Sequence, residues 1–110
     1  AEHIVDRHAQ ASVLIICSGS LGHFNLEDFH GAGHLITHFT RYGDYVMTDA
    51  AIAALHAYRG SDTRSALRAS RVGRMMAEHG LAAEIDFAAN HDTLDTVPTL
   101  VDGSLVRANT

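Results

Sequence analysis

The period of the apolar positions changes several times along the chain, and each change marks an element. Residues 1–8 read as a helix already under way, because no capping residue precedes Ile4 and Val5. Residues 11–17 are a continuous run rich in valine and isoleucine. Such a run without alternation predicts a strand buried on both faces, with Cys17 packed in the core at its end. A small-residue turn over 18–22 follows, and Asn25 then stands where a helix cap is expected, with Asp28 in the first turn. That helix is predicted over 26–39, with Leu35, Ile36 and Phe39 facing the core and Arg41 near its negative end. After Gly43 and Asp44 stop it, an extended piece over 45–47 leads to Thr48 or Asp49 as the cap of a third helix over 50–58. Ile52 and Leu55 are its core candidates.

A fourth helix is predicted from Asp62 to Gly80. At 100° per residue it gathers Ala66, Ala69, Val72, Gly73, Met76 and Ala77 on one side and Arg64, Arg68, Arg71, Arg74 and Glu78 on the other. Beyond Gly80, residues 85–89 and 97–106 read as strands. Asp102 and Gly103 are a two-residue hairpin signal within the second, and Pro98 suits an edge or a strand start. The expected architecture is a single α/β layered domain over 1–110, with a mixed sheet flanked by about four helices.

Composition narrows the function classes. The chain has 110 residues, a formal net charge of −5 and one cysteine. An internal disulfide framework and a four-cysteine zinc site are therefore excluded, and a reducing, cytoplasmic setting is expected. All eight positive side chains are arginine. The absence of lysine removes Schiff-base chemistry and the lysine-dependent phosphate loop. Net negative charge argues against sequence-blind nucleic-acid binding. The longest apolar stretch, 13–17, is far below the roughly 20 residues a membrane span needs, and no secretory leader pattern opens the chain.

Candidate chemistry concentrates between the first predicted strand and the helix after it. Glycine-rich backbone at a helix start offers free N–H groups and partial positive charge to an anion. Glu27 and Asp28 would repel a phosphate there unless a divalent cation lay between them; their other reading is as complements to the helix dipole. Glu27, His30, His34 and His38 share nearly one helix face, so a histidine metal site stands beside the reading as a wet polar stripe. The arginine face, with Arg71 and Arg74 nearest Gly73, matches oxyanions by bidentate forks or is simply solvated.

The string CSGSLGHFNLEDFHGAG at 17–33 resembles the 2-phosphosulfolactate phosphatase family, specifically its C-terminal half. DAAIAAL at 49–55, SRVGRMMAEHGL at 70–81 and the segment from Phe87 to Pro98 resemble that family's later blocks in the same order. The resemblance implies a magnesium-dependent phosphatase of α/β fold acting on a small phosphorylated sulfonate on the route to coenzyme M. Glu27 and Asp28 would then be catalytic and metal-contacting acids. Gly19 and Gly22 would shape the substrate turn, and Arg71 and Arg74 would steady an anionic group. Family members usually carry cysteines where Gly31 and Ala88 stand here, and their longer chain supplies an N-terminal part of the site that these residues lack. Exposed apolar surface is then expected to find a homodimer mate or a partner chain. The alternatives are a non-catalytic oligomeric remnant of the family and a small module binding metal through His30, His34 and His38.

Overall fold

The computed structural model describes residues 1–108, which form six helices and a two-stranded antiparallel sheet. The helices are α1 (Glu2–Arg7), α2 (Leu26–Phe39), α3 (Asp49–Arg59), α4 (Thr63–Ala69), α5 (Arg71–Glu78) and α6 (Ala82–Ala88); the strands are β1 (Pro98–Val101) and β2 (Ser104–Arg107). The domain is therefore a small α/β unit. The mixed sheet expected at its centre is not formed among the described residues.

The core lies between α2 and α3. Ala32 and Ile36 of α2 meet Ala54 and Leu55 of α3, with Ile15, Phe29, Met47 and Ala51 packed around them. The helices approach closely because Gly33 faces α3. A Cβ there would overlap the Ala54 carbonyl and come within 2.7 Å of Tyr58 Cβ. Alanine-rich α3 supplies the matching flat face, while its Ile52, expected in the core, is exposed. The start of α3 follows the expected chemistry, since Thr48 Oγ1 accepts from the Ala51 N–H at 3.3 Å.

The long helix expected from 62 to 80 is broken at Ser70. That residue adopts an extended conformation (φ −63°, ψ 158°). Its buried hydroxyl donates to the Leu67 carbonyl at 2.8 Å and accepts from the Gly73 N–H at 2.9 Å, so one side chain closes α4 and caps α5. Gly73 is required at the join because a Cβ would run into the Leu67 backbone. Asp62 caps α4 through the Ser65 N–H at 2.9 Å, and that backbone hydrogen bond holds the Asp62 carboxyl below the usual range.

Two strand expectations are corrected. Of residues 85–89, the first four belong to α6 and Ala89 is its C-cap; Ile85 is the buried residue and Asp86 faces the arginines of α4. Residues 11–17 form no regular element and join no ladder, since the strands among the described residues pair only with each other. Ile15 alone reaches the core. Leu14 and Ile16 are 82% and 79% exposed, and Cys17 is an exposed thiol rather than a core one. The C-terminal hairpin forms as expected, with Thr99 opposite Val106 and Pro98 opening β1. Asp102 (φ 48°) and Gly103 (φ 78°) supply the two left-handed residues that such a turn requires.

Gly31 and Gly33 lie on the same helix but face opposite environments, with no atom within 4 Å of a Cβ at Gly31. Gly31→Ala should gain about 0.5–1 kcal/mol from helix propensity. Gly33→Ala should lose about 1–3 kcal/mol through overpacking. Urea midpoints of the two variants check this, and equal shifts would refute the close packing of α2 on α3.

Candidate functional site at the start of helix α2

The loop entering α2 is held by a short set of hydrogen bonds. Ser20 and His23 pair through their backbones, at 3.2 Å and 2.9 Å, around Leu21 (φ 52°) and Gly22 (φ 75°). Two successive left-handed residues define a tight primed turn. Gly19 is also left-handed (φ 65°), and a Cβ there would lie 2.5 Å from the His23 carbonyl oxygen. The Gly19 N–H donates to Asp28 Oδ2 at 2.7 Å. Asp28 therefore ties the loop back onto the first turn of the helix, a charge-assisted bond.

Asn25 occupies the cap position without capping α2. Its Oδ1 instead accepts from Ser20 Oγ at 3.1 Å and from Arg71 Nη2 at 2.8 Å, and the same Arg71 nitrogen donates to Ser20 Oγ at 2.6 Å. Arg71, the first residue of α5, thus clamps a loop about 50 positions earlier in the chain. Beside it is an open cleft of about 630 Å³, with Leu21, His23, Phe24, Leu26, Ser70 and Arg71 among its lining residues. Glu27 is half-buried, and its Oε2 is shut off from solvent with no hydrogen-bond partner among the described residues.

The structure thus brings Gly19, Gly22, Asp28 and Arg71 to one loop, with Glu27 on the adjoining turn of α2. Arg74 stands apart, donating to the Ala69 carbonyl. Arg64 and Arg68 both engage Asp86; the Arg68 Nη2 contacts, at 2.7 Å and 2.8 Å, span both carboxylate oxygens. Half of the predicted arginine stripe is therefore an internal charge network. Ser20 and Ser70 are site-shaping residues that sequence patterning does not single out, and Asn25, expected as a cap, serves the site instead. The paired serines flanking Gly19 and the cap position of Asn25 were their local signals, but the partner Arg71 is far away in sequence.

The histidines of α2 occupy a second region. His30 is 3% exposed, with Nε2 2.9 Å from Thr63 Oγ1 and its ring beside Tyr58. Burial chiefly, and the nearby His91, lower its pKa, against the opposing pull of Asp62. Burial likewise leads the lowering at His34, joined by His91, His38 and His30 and opposed by Asp92.

The arrangement defines an α/β domain with a glycine turn fastened to a helix N-terminus by an acid and an arginine. The sequence model of the 2-phosphosulpholactate phosphatase family matches residues 1–103, and the chain belongs to that family. It is similar to the probable 2-phosphosulfolactate phosphatase of Deinococcus radiodurans, at 38% identity over 96% of this chain and 46% of that protein. Its likeness to the protein of the same description from Carboxydothermus hydrogenoformans is 30% identity over 86% of this chain and 40% of the relative. For that from Thermotoga petrophila it is 29%, over 89% and 43%. The chain spans less than half the length of these curated relatives. No solved structure matches it. Among the described residues no helix is long and apolar enough to cross a membrane.

Asp28→Ala should cost about 1.5–3 kcal/mol by removing a charged acceptor. It should also speed exchange of the Gly19 amide, read by hydrogen exchange; unchanged Gly19 exchange would refute the tie. A further expectation concerns acid. His30 binds a proton less readily folded than unfolded, so its contribution is complete above the unfolded value of about 6.5 and is lost as pH falls below it. The urea midpoint should drop between about pH 7.5 and pH 5.5, and His30→Gln should flatten that drop; equal slopes in both proteins would refute this.

Proposed function

We propose that this chain supplies the loop-and-acid part of a magnesium-dependent phosphomonoesterase site acting on 2-phosphosulfolactate. The observation that carries this reading is the buried, unpartnered oxygen of Glu27, one residue from the acid that fastens the glycine turn. A shielded carboxylate oxygen without a donor is costly unless a cation or donor reaches it. Hard oxygen ligands of this kind suit magnesium, which needs only one or two protein carboxylates beside substrate phosphate. The residues fit the ion. Glu27 and Asp28 would hold it, Asp28 through oxygen capacity beyond that used by Gly19. Bound there, magnesium supplies charge screening and an acidified water.

The chain's own groups do the rest. Gly19 and Gly22 set the turn so that its backbone approaches the phosphate closely. The Arg71 guanidinium, already oriented by Ser20 and Asn25, presents its remaining donors to an oxyanion, and Arg74 swings from its carbonyl contact to meet the second anionic group. One observation favours an assembly over a lone chain. Leu14, Ile16, Phe24 and Val46 are each exposed apolar side chains of the kind that a second copy or a partner chain would cover. In the second reading, a non-catalytic oligomeric remnant, those side chains are kept and turnover is lost.

The test is phosphate release from 2-phospho-3-sulfolactate by the purified chain, with and without magnesium, beside Glu27→Gln. Magnesium-dependent release falling about a hundredfold in the variant, roughly 3 kcal/mol of transition-state stabilisation, is the expected result. Release unaltered in Glu27→Gln would move the chemistry away from this acid. A folded chain that releases nothing would overturn unaided catalysis and favour the remnant.

A further inference from the structure

We infer a transition-metal site of the zinc class, separate from the loop at the start of α2, formed by His34 Nε2, His38 Nε2 and the Asp92 carboxylate. Their ligand atoms all lie within 4.8 Å of one another. His34 and His38 are one helical turn apart, so their rings share a face of α2, and the two Nε2 atoms stand 3.0 Å apart. Asp92 arrives from the loop after α6. The donors therefore come from two elements that converge in space but not in sequence.

The donor set selects the metal. Two neutral imidazole nitrogens and a carboxylate match zinc and its first-row neighbours, at bond lengths of about 2.0–2.2 Å. Magnesium prefers an oxygen shell. In a tetrahedral site of those bond lengths the donor atoms are roughly 3.3–3.5 Å apart. The two histidines are nearly at that spacing, and a small inward movement of exposed Asp92 completes it, leaving the fourth position to water. The contact between the two Nε2 atoms uses a proton on one of them; for ligation that ring changes tautomer, its proton moving to Nδ1, and it stays neutral.

Ring orientation is fixed in advance. His34 packs against both Tyr58, at 5.1 Å, and His91, at 4.2 Å, each at 27°, and those two rings are themselves 6.3 Å apart. His38 Nδ1 faces exposed Arg41 Nη1 at 3.4 Å, a contact that turns away when the ring carries its proton on Nδ1. Preset rings lower the ordering cost of ligation. At about 1.5 Å per residue, His34 lies some 9 Å and His38 some 15 Å further along α2 than Asp28, so the two sites do not share ligands. A bound ion would join α2 to the segment between α6 and β1, which otherwise contributes exposed residues.

Cobalt(II) titration followed by visible absorption tests this, with zinc as competitor. The chain should bind one equivalent with the strong bands of a four-coordinate ion, zinc should displace it, and excess magnesium should not. His38→Ala should weaken binding by about a hundredfold and Asp92→Asn by about tenfold, at least the range that changes around a metal site produce. Because the chain has nine histidines, the His3→Ala/His8→Ala pair serves as control and should bind as the parent does. Zinc should also raise the thermal midpoint of the parent more than that of Asp92→Asn at the same zinc concentration, the variant's exposed position leaving folding intact. A six-coordinate spectrum, absence of binding by folded protein, or unchanged affinity in both His38→Ala and Asp92→Asn would overturn the assignment. None of these readouts depends on phosphatase activity.

Discussion

Everything in this domain hangs on the approach of α2 to the Ala54 carbonyl through Gly33. Without a side chain at that point the helices pack backbone to backbone, and their shared core consists of small and medium residues. This contact sets the rotation of α2 about its axis. With the rotation fixed, Asp28 points back to the loop, Glu27 is shielded beside it, and His30 is pressed against Tyr58 and Thr63. His34 and His38 then lie on the flank that meets the loop after α6. One glycine thus determines where each polar group of the helix is presented.

The helices with strong local signals were legible from sequence. Alanine-rich α3 with its Thr48 cap and α2 with its apolar spacing appear within a residue of expectation, as does the hairpin at Asp102 and Gly103. Misreadings arose where a local pattern has two physical solutions. The run over 11–17 carries the composition of a buried strand, but composition cannot supply a neighbouring ladder, and only Ile15 finds a packing surface. Residues 85–89 alternate like a strand, yet their flanking alanines and the pull of Arg64 and Arg68 on Asp86 favour a helix.

Legibility of the site followed the same division. The glycine turn and its acids are contiguous in sequence, so Gly19, Gly22, Glu27 and Asp28 are legible together. The clamp of Arg71 on Ser20 and Asn25 joins residues 51 and 46 positions apart, and no spacing rule announces it. The helical periodicity of His34 and His38 was visible, whereas Asp92 becomes their neighbour only through the path of α6. The family relationship adds what neither pattern nor packing alone supplies, a common ancestry for the stretch from 1 to 103.

The break at Ser70 has a consequence in helical phase. An unbroken helix from 62 to 80 would carry Arg64, Arg68, Arg71 and Arg74 down one stripe, all facing the same surroundings. Interrupting it by one extended residue resets the phase. The first pair of arginines then faces α6 and its aspartate, and Arg71 faces the glycine loop. A charge pattern that looks uniform in the sequence is thereby parted into two vectors by a single serine hydroxyl.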